Sequence, residues 1–105
     1  TIVHHDEETV TIIYQKLGYS TNLLGTLNVG DSLSDVVGPL GKAAHVRDVS
    51  SVLGIAGGVG AAPLFPQLEE YAKQGVKVDL VIGARTKEHL ILLDEYRKFC
   101  RNIYI

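Results

Sequence analysis

Residues Thr9-Val10-Thr11-Ile12-Ile13-Tyr14-Gln15-Lys16 alternate between apolar and polar and are rich in β-branched side chains, which predicts a half-buried strand. The polar run His4-His5-Asp6-Glu7-Glu8 reads as a turn joining it to an earlier strand at Thr1-Ile2-Val3. Leu17-Gly18-Tyr19-Ser20-Thr21 is a turn that offers two N-cap hydroxyls to a short helix over Asn22–Leu27. Asn28-Val29-Gly30-Asp31 is another turn, and Ser32–Val37 reads as a further strand closed by Gly38-Pro39-Leu40-Gly41. The rhythm changes across Lys42–Ser50. Ser51–Ala56 then predicts a strand, and Leu64, Leu68, Tyr71 and Ala72 fall at helical spacing up to a stop at Gly75. Val76–Ile82 predicts a second strand, Thr86 caps a helical stretch from Lys87 to about Phe99 with a break near Leu92, and Ile103-Tyr104-Ile105 predicts a third strand. Strands alternating with helices imply a parallel sheet with right-handed crossovers. The fold class is therefore α/β. Residues 45–105 read as the first half of an open parallel-sheet domain, and residues 1–44 as the end of an antiparallel β-domain.

Between the first strand and helix of the second half stands Gly54-Ile55-Ala56-Gly57-Gly58-Val59-Gly60-Ala61-Ala62-Pro63. A strand, a glycine-rich turn and a helix start in that order make an anion site. Glycines let the backbone turn sharply and approach a ligand closely, and the helix start presents unpaired N–H groups to a phosphate. The segment nearly matches the dinucleotide fingerprint G-x-G-x-x-G, with Pro63 where the third glycine would stand. Proline is tolerated there, because a first-turn N–H has no intrahelical partner to lose. In the dinucleotide fold a carboxylate at the end of the second strand holds the adenine ribose. This strand ends Ile82-Gly83-Ala84-Arg85-Thr86, with an arginine and no acid. A guanidinium there suits a 2′-phosphate or stacks on adenine, and the missing carboxylate favours the phosphate; the plain alternative is a solvated surface arginine. Asp79, in mid-strand, is expected to be exposed on an edge rather than set against a ribose.

Composition narrows the possibilities. The 105 residues suit one domain's worth of chain, and a net charge of −2 gives no basic footprint for nucleic acid. No apolar run approaches the roughly 20 residues that span a bilayer, no signal peptide is visible, and the single Cys100 has no internal disulfide partner. A cytoplasmic setting fits. The chain opens without Met and closes on an apolar strand, so it is expected to be a piece of something longer.

Several other groups have the residue types of a site. Gly18, Ser20 and Thr21 form a second potential phosphate cradle, a glycine turn with hydroxyls at a helix start, with a plain N-cap as the simpler reading. Gly38-Pro39-Leu40-Gly41-Lys42 lacks the glycine spacing of a P-loop, and Ala43 stands where Ser or Thr is required. His4, His5 and Asp6 are adjacent residues that seldom converge on a metal, and Cys100 reads as a packed helical residue. There is no G-x-S-x-G, and neither His45 nor His89 has an evident nucleophile, which argues against a hydrolytic triad. Tyr19 could cover a flavin or adenine ring, against the commoner exposed tyrosine.

Taken together, these residues resemble the ferredoxin–NADP reductase superfamily, and more narrowly its flavoprotein electron-transfer subunits. Those include the dihydroorotate dehydrogenase electron-transfer subunit, the small subunit of NADH-dependent ferredoxin:NADP oxidoreductase, and the sulfhydrogenase gamma subunit. The resemblance is carried by Leu17-Gly18-Tyr19-Ser20-Thr21, Gly30-Asp31, Asp35-Val36-Val37-Gly38-Pro39-Leu40-Gly41, Gly57-Gly58-Val59-Gly60-Ala61-Ala62-Pro63 and Gly83-Ala84-Arg85-Thr86, in order along almost the whole chain. It implies an FAD-binding β-barrel ending within residues 1–44, followed by an NAD(P)-binding α/β domain over residues 45–105. It further implies an FAD-dependent NAD(P)H oxidoreductase, the electron-transfer subunit of a larger complex such as a hydrogenase. Hydride would pass between nicotinamide and flavin, and electrons onward to an iron–sulfur partner subunit, with no catalytic acid or base.

By position, the resemblance gives Gly18, Ser20 and Thr21 to the FAD pyrophosphate. It gives Gly58, Val59, Gly60, Ala61 and Ala62 to that of NAD(P), and Arg85 to the adenosine end. The family's Arg-x-Pro-x-Thr flavin motif would lie before or at Thr1. The cysteines of a two-iron two-sulfur cluster would lie beyond Ile105, so the fragment by itself is expected to hold neither flavin nor cluster. Two alternatives stand beside this reading: a non-catalytic NAD(P)-binding regulatory module, and a structural subunit that has lost its ligands. An intact second cradle at Gly18–Thr21 argues against the first, and the unreplaced glycines of residues 57–60 against the second.

Overall fold

The computed structural model describes residues 1–105, which form two compact units: Thr1–Ile13 with His45–Ile105, and Tyr14–Ala44. In the first, strands β1 (Ile2–His5) and β2 (Val10–Ile12) make an antiparallel hairpin with an irregularity between Ile2 and His4. The turn between them is tied by Asp6, whose Oδ1 accepts the amides of Glu8 at 2.8 Å and Thr9 at 2.7 Å. These bonds hold the Asp6 carboxyl below its ordinary pKa. His4 and His5 thus belong to β1 and not to the turn, where the sequence had suggested them. The strand expected as far as Lys16 ends at Ile12, which pairs with Ile2, and the backbone bonds between Ile13 and Thr1 carry the pairing one residue further.

Strand β3 (Ser51–Gly57), helix α2 (Ala61–Lys73), strand β4 (Lys77–Gly83), helix α3 (Leu93–Arg97) and strand β5 (Asn102–Tyr104) follow in βαβαβ order. The sheet is parallel throughout, with order β3-β4-β5, and β3 lies in register on β4 from Ser51↔Lys77 to Gly57↔Gly83. Alternation sorts the strand residues into two faces. Gly54, Ala56, Val78, Leu80 and Ile82 are buried toward α2, whose Phe65 and Leu68 complete the core with Val3 of the hairpin. Gly54 is a packing glycine, since a Cβ on it would overlap the Leu68 side chain and press on Leu64.

Helix α2 begins three residues before the expected Leu64 and continues through Pro66. That proline removes one i→i−4 bond, yet the buried Phe65 and Leu68 hold the helix to the sheet on either side of it. Gly75, at φ 83°, ends it as expected. The stretch Lys87–Phe99 is broken where the sequence suggested, at Leu92, which sits at φ 63° between a 3₁₀ turn (Lys87–His89) and α3. Asp79 departs from expectation. Its carboxylate accepts Arg101 Nη2 at 2.6 Å, Arg101 Nε at 3.2 Å and Asn102 Nδ2 at 3.1 Å, which ties β5 to β4.

In the second unit, helix α1 (Tyr19–Leu24) starts three residues before the expected Asn22. The Thr21 hydroxyl makes no N-cap bond; it accepts the Leu17 amide and donates to the Leu17 carbonyl, both at 2.8 Å. Asn28–Asp31 is a turn, closed by the Asp31 amide on the Asn28 carbonyl at 2.9 Å. Ser32–Val37 forms no strand. An extended segment becomes one only by pairing, and no neighbouring strand lies along it. No helix is long and apolar enough to cross a membrane.

Candidate nucleotide site at the glycine turn

The chain leaves β3 through Gly57, tightens into a 3₁₀ turn over Gly58–Gly60, and runs directly into α2. Gly58 takes φ +54°, a conformation that L side chains rarely adopt, so glycine is required there for the turn itself. Gly60 differs. Its φ −60° and ψ −17° suit any residue, and a Cβ placed on it would meet nothing within 4 Å. Neither backbone strain nor packing within the chain explains a glycine at that position, where alanine would favour the helix by about 0.5–1 kcal/mol. The space above it is open.

Gly57 and Gly83, paired in register at the carboxyl ends of β3 and β4, also carry no neighbour within 4 Å of an added Cβ. Together the four glycines leave open space at the carboxyl edge of the sheet, where open α/β folds bind nucleotides. The first amides of a helical run have no carbonyl behind them, and here the run begins at Gly58, so Val59 and Gly60 supply free donors. Val59 is exposed beside them. Ala61 and Ala62 expose no surface at all. They hold the helix start tightly on the sheet from below, and any direct ligand contact falls to Gly58, Val59 and Gly60.

Arg85 stands two residues past Gly83, exposed, in a shallow groove of about 450 Å³ formed by Gly83–Lys87 with Leu90 and Ile105. Lys87, two residues further on, lines the same groove as a second cation, without the motif context that marks Arg85 in the sequence. The loop is shaped by the Thr86 hydroxyl, 2.5 Å from His89 Nδ1. Asp79 is committed to Arg101, whose hydrogen bonds hold its carboxyl below the usual range.

The other candidates separate. Gly18 adopts φ 91° ahead of α1, Ser20 is exposed, and Thr21 spends its hydroxyl on Leu17. Tyr19 is 84% exposed. No cluster of His, Cys, Asp or Glu suits a metal, and His4 and His5 are both exposed on β1. Cys100 is half-buried, and burial followed by the nearby Asp79 charge pushes its thiol up to about 11.

No family model matches the chain. It is 38% identical to the uncharacterized protein in the adh 3′ region of Clostridium beijerinckii, over all of this chain and 38% of that protein. It is 36% identical to the dihydroorotate dehydrogenase B (NAD(+)), electron transfer subunit homolog of Thermotoga maritima, over 89% of this chain and 33% of that one. Among solved structures it resembles a chain of the NADH-dependent reduced ferredoxin–NADP oxidoreductase, with a TM-score of 0.71 and 37% identity. That match covers 83% of this chain and 32% of the other. The chain thus spans about a third of the length of these relatives.

Proposed function

We propose, for a chain that belongs to the ferredoxin–NADP reductase-like family of electron-transfer subunits, that its protein is an FAD-dependent NAD(P)H oxidoreductase working as one subunit of a larger redox complex. On this reading residues 45–105 open the NAD(P)-binding domain and residues 1–44 close the flavin-binding barrel. The observation that carries it is Gly60, a glycine that neither its backbone angles nor its neighbours require, with open space where its Cβ would stand. An approaching pyrophosphate gives that glycine its reason.

Each group then has a task. Gly58 makes the turn, Val59 and Gly60 donate amide hydrogens to the pyrophosphate, and Ala61 and Ala62 seat the helix close beneath it. Arg85, with Lys87 beside it, holds the adenosine end, its guanidinium on a 2′-phosphate or against the adenine. Gly18 and Ser20 are left to face the FAD pyrophosphate, while Thr21 shapes that turn through Leu17. A nicotinamide nucleotide held by Gly58–Gly60 and Arg85 would supply hydride chemistry, and a flavin held at Gly18 and Ser20 would couple it to single-electron transfer toward an iron–sulfur partner. The protein's own work is to bind and orient, and no side chain here is assigned as an acid or base.

Anaerobic addition of NADH or NADPH to the native full-length protein tests this reading. Bound flavin should bleach in proportion to the nucleotide added. A protein that binds nucleotide yet carries no reducible flavin would be a regulatory module and would overturn the oxidoreductase reading.

A further inference from the structure

We propose that Tyr96 is a positioning residue for nucleotide binding, its buried hydroxyl fixing the end of the glycine turn through the Ala61 carbonyl, to which it donates at 2.6 Å. The inference rests on Gly58–Gly60 being the phosphate cradle. Tyr96 belongs to α3, 35 residues further along the chain, and exposes no surface. Its ring is held edge-on to Phe65, with centroids 5.1 Å apart, and tilted against Phe99 at 5.8 Å. Burial, with Cys100 nearby, keeps the phenol above its ordinary pKa, so it is protonated and able to donate throughout the neutral range.

The Ala61 carbonyl that Tyr96 holds and the Ala61 N–H lie on either side of one Cα, and the amides at that cap donate to the carbonyls of Gly58 and Val59. Those carbonyls share their peptides with the amides of Val59 and Gly60, the donors left without a carbonyl behind them. The bond from Tyr96 therefore fixes the first turn of α2 against rotation and, through the Ala61 cap, the orientation of these two amides. Packing against Phe65 and Phe99 asks only for a ring, so the hydroxyl is the part with this separate role.

The test compares NADH affinity and thermal midpoint in the native full-length protein for wild type, Tyr96→Phe, Phe99→Leu and Gly60→Val. Tyr96→Phe keeps the ring and should weaken NADH by about three- to tenfold, with kcat at saturation unchanged. Phe99→Leu disturbs the same aromatic cluster and should lower the thermal midpoint while leaving affinity within about twofold. Unchanged affinity in Tyr96→Phe, where Gly60→Val has lost binding, would overturn the role of Tyr96 and leave the cradle standing. Equal weakening in Phe99→Leu would also overturn it, since packing alone would then suffice. If Gly60→Val binds as wild type does, the cradle itself is wrong and the proposal falls with it.

Discussion

Gly54 of β3 lies directly beneath Leu68 of α2, close enough that a Cβ on the glycine would overlap the leucine's Cδ1. Gly60, six residues on, has open space where its own Cβ would stand. Two glycines of one motif therefore serve different ends: Gly54 lets helix and sheet come together inside the protein, and Gly60 clears space outside it.

Stability should separate them. Gly54→Ala forces Leu68 out of its rotamer and should cost about 1–3 kcal/mol. Gly60→Ala enters a helical conformation without a clash and should stabilise by about 0.4–1 kcal/mol. Urea unfolding of the two variants beside wild type measures both. Equal losses would mean that Gly60, too, is a packing residue.

Asp79 sets an acid-side dependence. Hydrogen bonds from Arg101, with Asn102 assisting, lower its pKa in the folded state, so the unfolded chain takes up the proton more readily. The stability this contributes is present above the ordinary carboxylate pKa and fades as pH falls through the lower folded value. Asp79→Asn should therefore be less stable than wild type at neutral pH, and the gap should close below about pH 4. Thermal midpoints of both proteins across that range check it; a gap independent of pH would remove the charge from the explanation.

Cys100 should be slow to alkylate. Burial holds its thiol up to about 11, so little thiolate exists near neutrality, whereas an unfolded cysteine titrates near 8.5. Iodoacetamide at neutral pH should label urea-unfolded protein many times faster than native protein. Equal rates would show that the thiol is not shielded.

Arg85 decides between cofactors. If its guanidinium pairs with a 2′-phosphate, Arg85→Ala should weaken NADPH by about ten- to a hundredfold and leave NADH nearly unchanged. Stacking on adenine would weaken both alike. Lys87→Ala should follow the same pattern more weakly, because it shares the groove without the planar fork of arginine.

The parallel half was legible because its signals are local. Val78, Leu80 and Ile82 form the apolar run of a buried strand, and Gly75 and Leu92 interrupt helical periodicity at the chain's own breaks. The first half was less legible. Ser32–Val37 has strand composition, yet strand formation depends on a partner that composition does not reveal. Hydroxyls at Ser20 and Thr21 looked like caps, but Thr21 bonds backward to Leu17. The glycine turn was visible as a motif, whereas the difference between Gly58 and Gly60 lies in backbone angles alone. Tyr96 had no signal at all, because a hydrogen bond across 35 residues leaves no periodic trace.

The central claim is that Gly60 is glycine to admit a nucleotide's pyrophosphate, and calorimetric titration of NADH and NADPH into Gly60→Val and wild-type full-length protein tests it directly. A side chain is compatible with the φ of −60°, and its Cβ meets nothing within 4 Å, so the variant should keep its fold and its unfolding midpoint. Its isopropyl group would stand where the pyrophosphate approaches the backbone. We expect heat of binding in the wild type and none in Gly60→Val. A folded Gly60→Val that binds either nucleotide with wild-type affinity would contradict the account.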